Sequence, residues 1–207
     1  MTHGDPRYPY ANAECNDSHA YLLPALARIL DAARPPRVFE VGCGNGAVAN
    51  WIKLRGIEVT GIDFSESGIS EARRAYPGLQ LAQGSAYDDL AASHGRFPAV
   101  VSLEVVEHLY FPRKFAKSVY DLLEPGGIAI ISTPYHGYLK NLALALTGRL
   151  DAHFTALWDG GHIKFWSERT LRILLEEAGF VGIEFRRAGR VRPLAKSMIV
   201  TALKPAA

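Results

Sequence analysis

Glu104, Glu107 and His108 stand in the pattern E-x-x-E-H within Ser102-Leu103-Glu104-Val105-Val106-Glu107-His108-Leu109. That spacing can bring two carboxylates and one imidazole together on a single turn. Such a ligand set suits magnesium or another hard divalent cation, and one histidine does not exclude manganese or zinc. Without a metal, His108 can serve as a general base or a polar wall, and the acidic pair can be structural. A second constellation, Gly161-His162-Ile163-Lys164-Phe165-Trp166-Ser167, sets His162 among aromatics just before a helix. His162 is read either as a pocket residue or base, or as a neighbour of the Ser167 helix cap.

A third group of residues has the chemistry of cofactor binding. Glu40-Val41-Gly42-Cys43-Gly44-Asn45-Gly46 follows an apolar run, and glycines there let a backbone turn tightly and approach a ligand. Asp63 ends the next apolar run, where a carboxylate can accept hydrogen bonds from both hydroxyls of a ribose. The loop also satisfies the relaxed G-x-G-x-x-G/A pattern, so an NAD-linked oxidoreductase competes with S-adenosylmethionine (SAM) binding. Glu40 favours SAM, because a carboxylate at that edge answers the ammonium of a methionine moiety.

These residues need elements that place them at one edge of a sheet. A helix pattern runs from near Asp17 to Ala33, with Asp17 or Ser18 as its cap and Pro35 and Pro36 as its stop. Arg37–Val41 reads as a strand, Ala47–Arg55 as a helix, and Ile57–Ile62 as a strand leading to Asp63. Ser65 caps a helix through Tyr76. Leu79–Gln83 and Ala99–Leu103 are strands, Phe111–Leu123 a helix, and Glu124-Pro125-Gly126-Gly127 a turn before the strand Ile128–Ser132. Thr133–Trp166 is an excursion containing an amphipathic stretch, Leu139–Leu150. The helix Ser167–Ala178, stopped by Gly179, and the strands Val181–Arg187 and Ser197–Leu203 close the chain. Strands alternating with helices imply parallel pairing with right-handed crossovers, which is a doubly wound α/β sheet. In such sheets ligands sit at the carboxyl ends of the strands.

The 207 residues, 48% hydrophobic and 21% charged, suit one domain, with an N-terminal arm and helix over 1–34 and a lid-like insertion over 134–166. A formal net charge of +2 gives no nucleic-acid field, and Arg186, Arg187, Arg190 and Arg192 read as a solvated edge. Cys15 and Cys43 are too few for a disulfide framework, and Cys43 reads as a small packing residue. With no signal pattern or membrane span in view, a cytoplasmic monomer or homodimer is the default expectation.

Val38-Phe39-Glu40-Val41-Gly42-Cys43-Gly44-Asn45-Gly46 resembles motif I of class I SAM-dependent methyltransferases. Gly61-Ile62-Asp63-Phe64-Ser65 resembles their ribose-binding turn, and Leu123-Glu124-Pro125-Gly126-Gly127 the turn before their fifth strand. Together these motifs cover roughly residues 35–135. The resemblance implies a Rossmann-like, three-layer α/β/α fold with a seven-stranded sheet whose last strand is antiparallel. It implies cofactor contacts from Glu40, Gly42, Cys43, Gly44, Asn45, Gly46, Asp63, Phe64, Leu103 and Glu104. The family often has an acidic residue after the third strand for the adenine; here Gly84-Ser85-Ala86-Tyr87 stands in that place, leaving Ser85, the Ala86 backbone or stacking by Tyr87.

Leu103-Glu104-Val105-Val106-Glu107-His108-Leu109 is very similar to the matching run in the O-methyltransferases of ubiquinone biosynthesis. That similarity implies Glu104, Glu107 and His108 as ligands of a divalent cation, and the stretch around His162 resembles one whose histidine often faces the substrate pocket. The implied activity is transfer of a methyl group from SAM, leaving S-adenosylhomocysteine (SAH), to a phenolic or quinol-like small molecule or a specialised metabolite. N- or C-methylation and a non-catalytic SAM-binding scaffold are the other readings. Tyr135, His136, Tyr138, Phe154, Trp158, Phe165 and Trp166, with Tyr8, Tyr10 and Tyr21, suit a lid over an aromatic or lipophilic acceptor. The helix at Leu139–Leu150 is expected to pack on the core rather than on a membrane surface.

Overall fold

The computed structural model describes residues 10–206; Tyr8 and the rest of the arm before Tyr10 lie outside the described residues. Seven strands form one sheet in the order β3-β2-β1-β4-β5-β7-β6. They are β1 Arg37–Val41, β2 Glu58–Asp63, β3 Gln80–Gln83, β4 Phe97–Leu103, β5 Leu123–Pro134, β6 Val181–Ala188 and β7 Ser197–Leu203. The first five pair in parallel, and β7 enters antiparallel between β5 and β6, as the resemblance implied. The order reverses between β1 and β4, and that switch point is where the ends of adjacent strands open a crevice.

Helices cover both faces. On one side lie α1 His19–Ala33, α2 Ala47–Lys53 and α3 Glu66–Ala75, packing Leu22, Leu26, Ile52 and Ile69 onto Val38 and Val101. On the other lie α4 Leu90–His94, α5 Pro112–Leu122 and α8 Glu168–Glu177. There Phe115, Val119 and Leu122, spaced to share one face of α5, meet Leu171 and Leu175 of α8 over Phe39 and Ile131. The remaining helices, α6 Tyr138–Leu146 and α7 Leu150–Phe154, belong to the excursion after β5. Among the described residues no helix is long and apolar enough to cross a membrane.

Some local expectations change. Asn16, rather than Asp17 or Ser18, caps α1: its Oδ1 accepts from the Ser18 and His19 backbone, and the Ser18 side chain caps nothing. Ser65 and Ser167 do cap α3 and α8, the latter in a reciprocal capping box with Thr170. The Glu124–Gly127 turn lies inside β5, because Leu123 pairs with Phe97 before the register shifts and pairing resumes at Ile128. Gly126, at φ +79°, absorbs the bend and donates to Lys204 O, so the turn works as a bulge. The amphipathic stretch stops at Leu146, and α6 buries no residue; Tyr138 and Leu146 are each 79% exposed. Core packing of that helix is therefore not what the chain does.

Candidate active site

The cofactor loop is shaped by backbone sterics. Gly42, Gly44 and Gly46 have φ of +82°, +52° and +77°, a region L side chains rarely adopt. Gly42 N and Cys43 N both donate to Ile62 O, which sews the loop to the end of β2. Cys43 is buried, as a packing residue should be. Asp63 accepts from Gly44 N at 2.8 Å through Oδ2 and from Ser65 N at 2.7 Å through Oδ1. Each oxygen keeps a lone pair for a further donor. Burial raises the Asp63 pKa against the pull of those two backbone donors.

Glu40 is 2% exposed, and its Oε2 has no hydrogen-bond partner. Burial, and then the Asp63 carboxylate, push its pKa up to about 8. A buried carboxyl with a bare oxygen beside a glycine cradle fits a ligand that brings an ammonium, and Asp63 fits a diol. Asn45 departs from a simple ligand contact: its Nδ2 donates to the carbonyls of Asn12 and Glu14, both at 2.9 Å, holding the N-terminal arm on the loop. The arm also lays Tyr10 against Gly44, a neighbour that no motif had announced.

The stretch after β3, where the family often carries an acidic residue, is furnished differently here. Ser85 N donates to Asp88 Oδ2, and Ser85 Oγ accepts from Tyr87 N, so Ser85 shapes a turn. Tyr87 packs edge-on to Phe111 at 5.8 Å and accepts from Phe111 N. Ala86 lies against the core and Phe64 is 53% exposed.

At the end of β4, Leu103 is buried and Glu104 turns the chain with φ +55°, a left-handed conformation rare outside glycine. Val105 then fills the space over Gly42, and a 3-10 turn spans Val106–His108. Glu104 Oε1 accepts from Ser132 Oγ at 2.8 Å and Oε2 from Ser197 Oγ at 3.2 Å, while Ser197 Oγ also meets Tyr21 OH. Burial raises Glu104 to about 7 against those hydroxyl donors and Lys140.

Glu107 is fully buried, and neither carboxylate oxygen has a hydrogen-bond partner. Burial first, then Glu104, raises its pKa well above the ordinary carboxylate range; the neighbouring Thr133 hydroxyl pulls the other way without closing a well-formed bond. Its backbone carbonyl accepts from Ile163 N and Lys164 N, both at 2.9 Å, and these bonds bring the His162 stretch to the site.

His108 Nδ1 lies 2.9 Å from Gly160 O and 3.2 Å from Gly161 O. Carbonyls only accept, so Nδ1 carries the proton and Nε2 is left as a lone-pair donor, 4.0 Å from Glu107 Oε1. The His108 and His162 rings meet edge to face at 4.9 Å, and Trp158 contacts both. Burial keeps both imidazoles neutral near pH 7, with His162 lowered to about 4. Among the described residues, the three side chains whose ligand atoms gather within 4.8 Å are Glu107, His108 and His162. Glu104 does not join them, because its carboxylate is held toward Ser132 and Ser197.

Of the lid aromatics, Tyr135 and Trp166 are buried, whereas Tyr138, Trp158 and Phe165 are partly or largely exposed. The basic stretch is a solvated edge where it is described: Arg186 faces Glu184 and Arg187 pairs with Glu168.

Comparison with known proteins agrees with this geometry. A family model described as a methyltransferase domain matches residues 13–184. The ubiquinone biosynthesis O-methyltransferase of Dinoroseobacter shibae is 32% identical over 155 residues, 72% of this chain and 61% of that protein. That of Caulobacter sp. is 36% identical over 126 residues, 59% of this chain and 48% of that protein. The chain thus spans about half to three fifths of the length of these relatives. A SAM-dependent methyltransferase from Archaeoglobus fulgidus shares the fold with a TM-score of 0.68 at 20% identity, over 88% of this chain and 93% of that one. Magnesium protoporphyrin IX methyltransferase from Synechocystis PCC 6803, solved with bound SAH, gives 0.65 at 21% identity, over 88% and 82%. A Rossmann-like sheet closed by an antiparallel β7, a glycine cradle ending in Glu40 and Asp63, and a family match over most of its length place this chain in the class I SAM-dependent methyltransferases.

Proposed function

We propose that the protein transfers a methyl group from SAM to a hydroxyl of a small phenolic or catechol-type acceptor, assisted by a divalent cation. The observation that carries this reading is the convergence of Glu107, His108 and His162 at the carboxyl end of β4, with both Glu107 oxygens unpartnered. The names of the ubiquinone biosynthesis relatives support O-methylation.

SAM supplies a methyl group already activated on a sulfonium, so the chain's own contribution is chiefly placement of the acceptor. Glu40 would receive the ammonium, Asp63 the ribose hydroxyls, and the Gly42–Gly46 backbone the methionine moiety; Leu103 and the Glu104 backbone would line the methyl-bearing end. A phenol has a pKa of about 10, so its proton must be displaced before attack. Glu107, His108 Nε2 and His162 are one hard and two borderline donors, a set that suits manganese or zinc better than magnesium and would lower the acceptor's pKa when loaded. Gly160 O fixes the His108 tautomer, as outer partners of metal-binding histidines commonly do. Glu104, expected from the sequence as a third ligand, is proposed instead as a positioning residue whose carboxylate Ser132 and Ser197 hold away from the cluster.

The test is methyl transfer to catechol by the purified chain with SAM and manganese, zinc or magnesium in turn. Turnover that chelator abolishes, that metal restores and that Glu107→Gln loses supports the proposal. A metal-free reading rests on one observation: the Gly160 and Gly161 carbonyls hold the Nδ1 proton of His108, so Nε2 is the ring atom with a lone pair to take a proton. Full turnover in chelator, lost in His108→Gln, would establish that reading and end the metal's role.

A further inference from the structure

The lid carries buried polar atoms that the reaction above does not use. His136, 7% exposed, directly follows the Tyr135 that leaves β5, and its backbone N–H donates to Trp166 O. Both His136 ring nitrogens are buried without a hydrogen-bond partner, and so are Nε2 of His153 on α7 and Oδ1 of Asn141 on α6. The His136 and His153 rings lie 5.4 Å apart, and the Asn141 side chain faces His136 closely enough to pull its pKa up without closing a well-formed hydrogen bond. Phe154 stacks on His136 and Phe165 meets its edge at 5.1 Å, so aromatic walls fix the imidazole. A buried polar atom left unpaired costs about 1–3 kcal/mol, and two histidine rings turned to one place ask for a ligand that accepts their N–H groups.

Charge indicates which ligand. Lys140, half-buried on α6, donates to Tyr135 O at 2.8 Å, and among the described residues no carboxylate reaches it at ion-pair distance. Its charge acts on His136, His153 and His162 alike, and Arg190 adds a second cation nearby. Glu104 is the acidic group whose field reaches Lys140, and both Glu104 oxygens are engaged by serines. A cation buried without its own counter-ion favours an anion. A metal is a poorer occupant, because the histidine pair gathers no third His, Cys, Asp or Glu among the described residues.

We propose that His136, Asn141, His153 and Lys140 form a subsite for a carboxylate on the acceptor, next to the Glu107–His108–His162 cluster. Each neutral imidazole offers one N–H and Lys140 an ammonium proton, three donors for two carboxylate oxygens; the Asn141 amide can turn its NH2 toward them. The acceptor class is then an aromatic hydroxy acid. This inference rests on the proposed function for its meaning as an acceptor site, but its test does not depend on turnover.

The experiment titrates SAH-loaded protein with benzoate and with its neutral analogue benzamide, by calorimetry. Benzoate should bind at least tenfold more tightly, and Lys140→Met and His136→Phe should each erase the preference while SAH affinity is kept. Equal binding of the two probes, no benzoate binding, or a preference that survives in Lys140→Met would overturn the subsite. Failure of catechol methylation alongside an intact benzoate preference would strike the reaction and leave the subsite standing; methylation without the preference would do the reverse.

Discussion

Gly42 and Val105 are in contact so close that a methyl group built on Gly42 would come within 2.3 Å of Val105 Cγ2. The cofactor loop and the segment bearing Glu104, Glu107 and His108 are therefore two sides of one packed joint. Gly42→Ala should combine that clash with the strain of an L residue at φ +82°, and overpacking alone typically costs about 1–3 kcal/mol. We expect weakened SAH binding and a lowered unfolding midpoint. Adding Val105→Ala should recover the clash but not the backbone strain, so a double variant restored fully to wild type would contradict this account.

The parts of the site that were legible in the sequence are those fixed by backbone need. Glycines at Gly42, Gly44 and Gly46, and the strand ends at Val41 and Asp63, are demanded by local geometry, so their spacing survives in any single chain. The sheet was equally legible, because apolar runs such as Val38–Val41 and Ile128–Ser132 admit few alternatives. Less legible were contacts made between distant segments. Nothing in E-x-x-E-H reveals that Ser132 and Ser197 would draw Glu104 away from Glu107 and His108, or that the Glu107 carbonyl would hold residues 163 and 164 and deliver His162. Asn45 read as a ligand contact because its loop position is a ligand position; its side chain turned instead to the arm.

Glu40 predicts a proton linkage. Its folded pKa of about 8 lies above the ordinary 4.5, so the native state keeps a proton that the unfolded chain has released. Ligand-free protein should therefore lose stability as pH rises from about 4.5 through 8, because the native state binds more protons over that range. Glu40→Gln should flatten part of this slope. SAH brings an ammonium that favours the ionised carboxylate, so binding at pH 7 should release up to about one proton. Calorimetry in buffers of different ionisation enthalpy reads this directly; identical heats in phosphate and Tris would refute it.

Asn45→Ala should free the arm without touching the glycine backbone. Its Nδ2 holds two carbonyls, while its Oδ1 accepts from Ala47 N at 3.2 Å. Limited proteolysis near residues 10–16 should speed up several-fold, and SAH affinity should fall because Tyr10 no longer stays against Gly44. Asn45→Asp keeps the acceptor and loses the donors, so it should match alanine in proteolysis. Resistance equal to wild type in both variants would mean that the other ties of the arm, Tyr76 OH donating to Ala13 O at 2.7 Å and Tyr10 N donating to Ser67 Oγ at 3.2 Å, secure it without Asn45.

Glu104 sets two effects against each other. Its φ of +55° is strained for any residue with a Cβ, by about 1–2 kcal/mol in the left-handed region. Its carboxylate meanwhile satisfies Ser132 and Ser197. Glu104→Ala keeps the strain and removes the acceptor of both hydroxyls, leaving Ser197 with Tyr21 OH, so it should destabilise. Glu104→Gly loses the same hydrogen bonds but releases the strain, and should be more stable than the alanine variant even though glycine usually costs about 0.5–1 kcal/mol relative to alanine within regular structure. Denaturant unfolding of the two variants decides the matter. A glycine variant less stable than alanine would show that position 104 is not held left-handed, and would remove the backbone turn on which the placement of Glu107 and His108 depends.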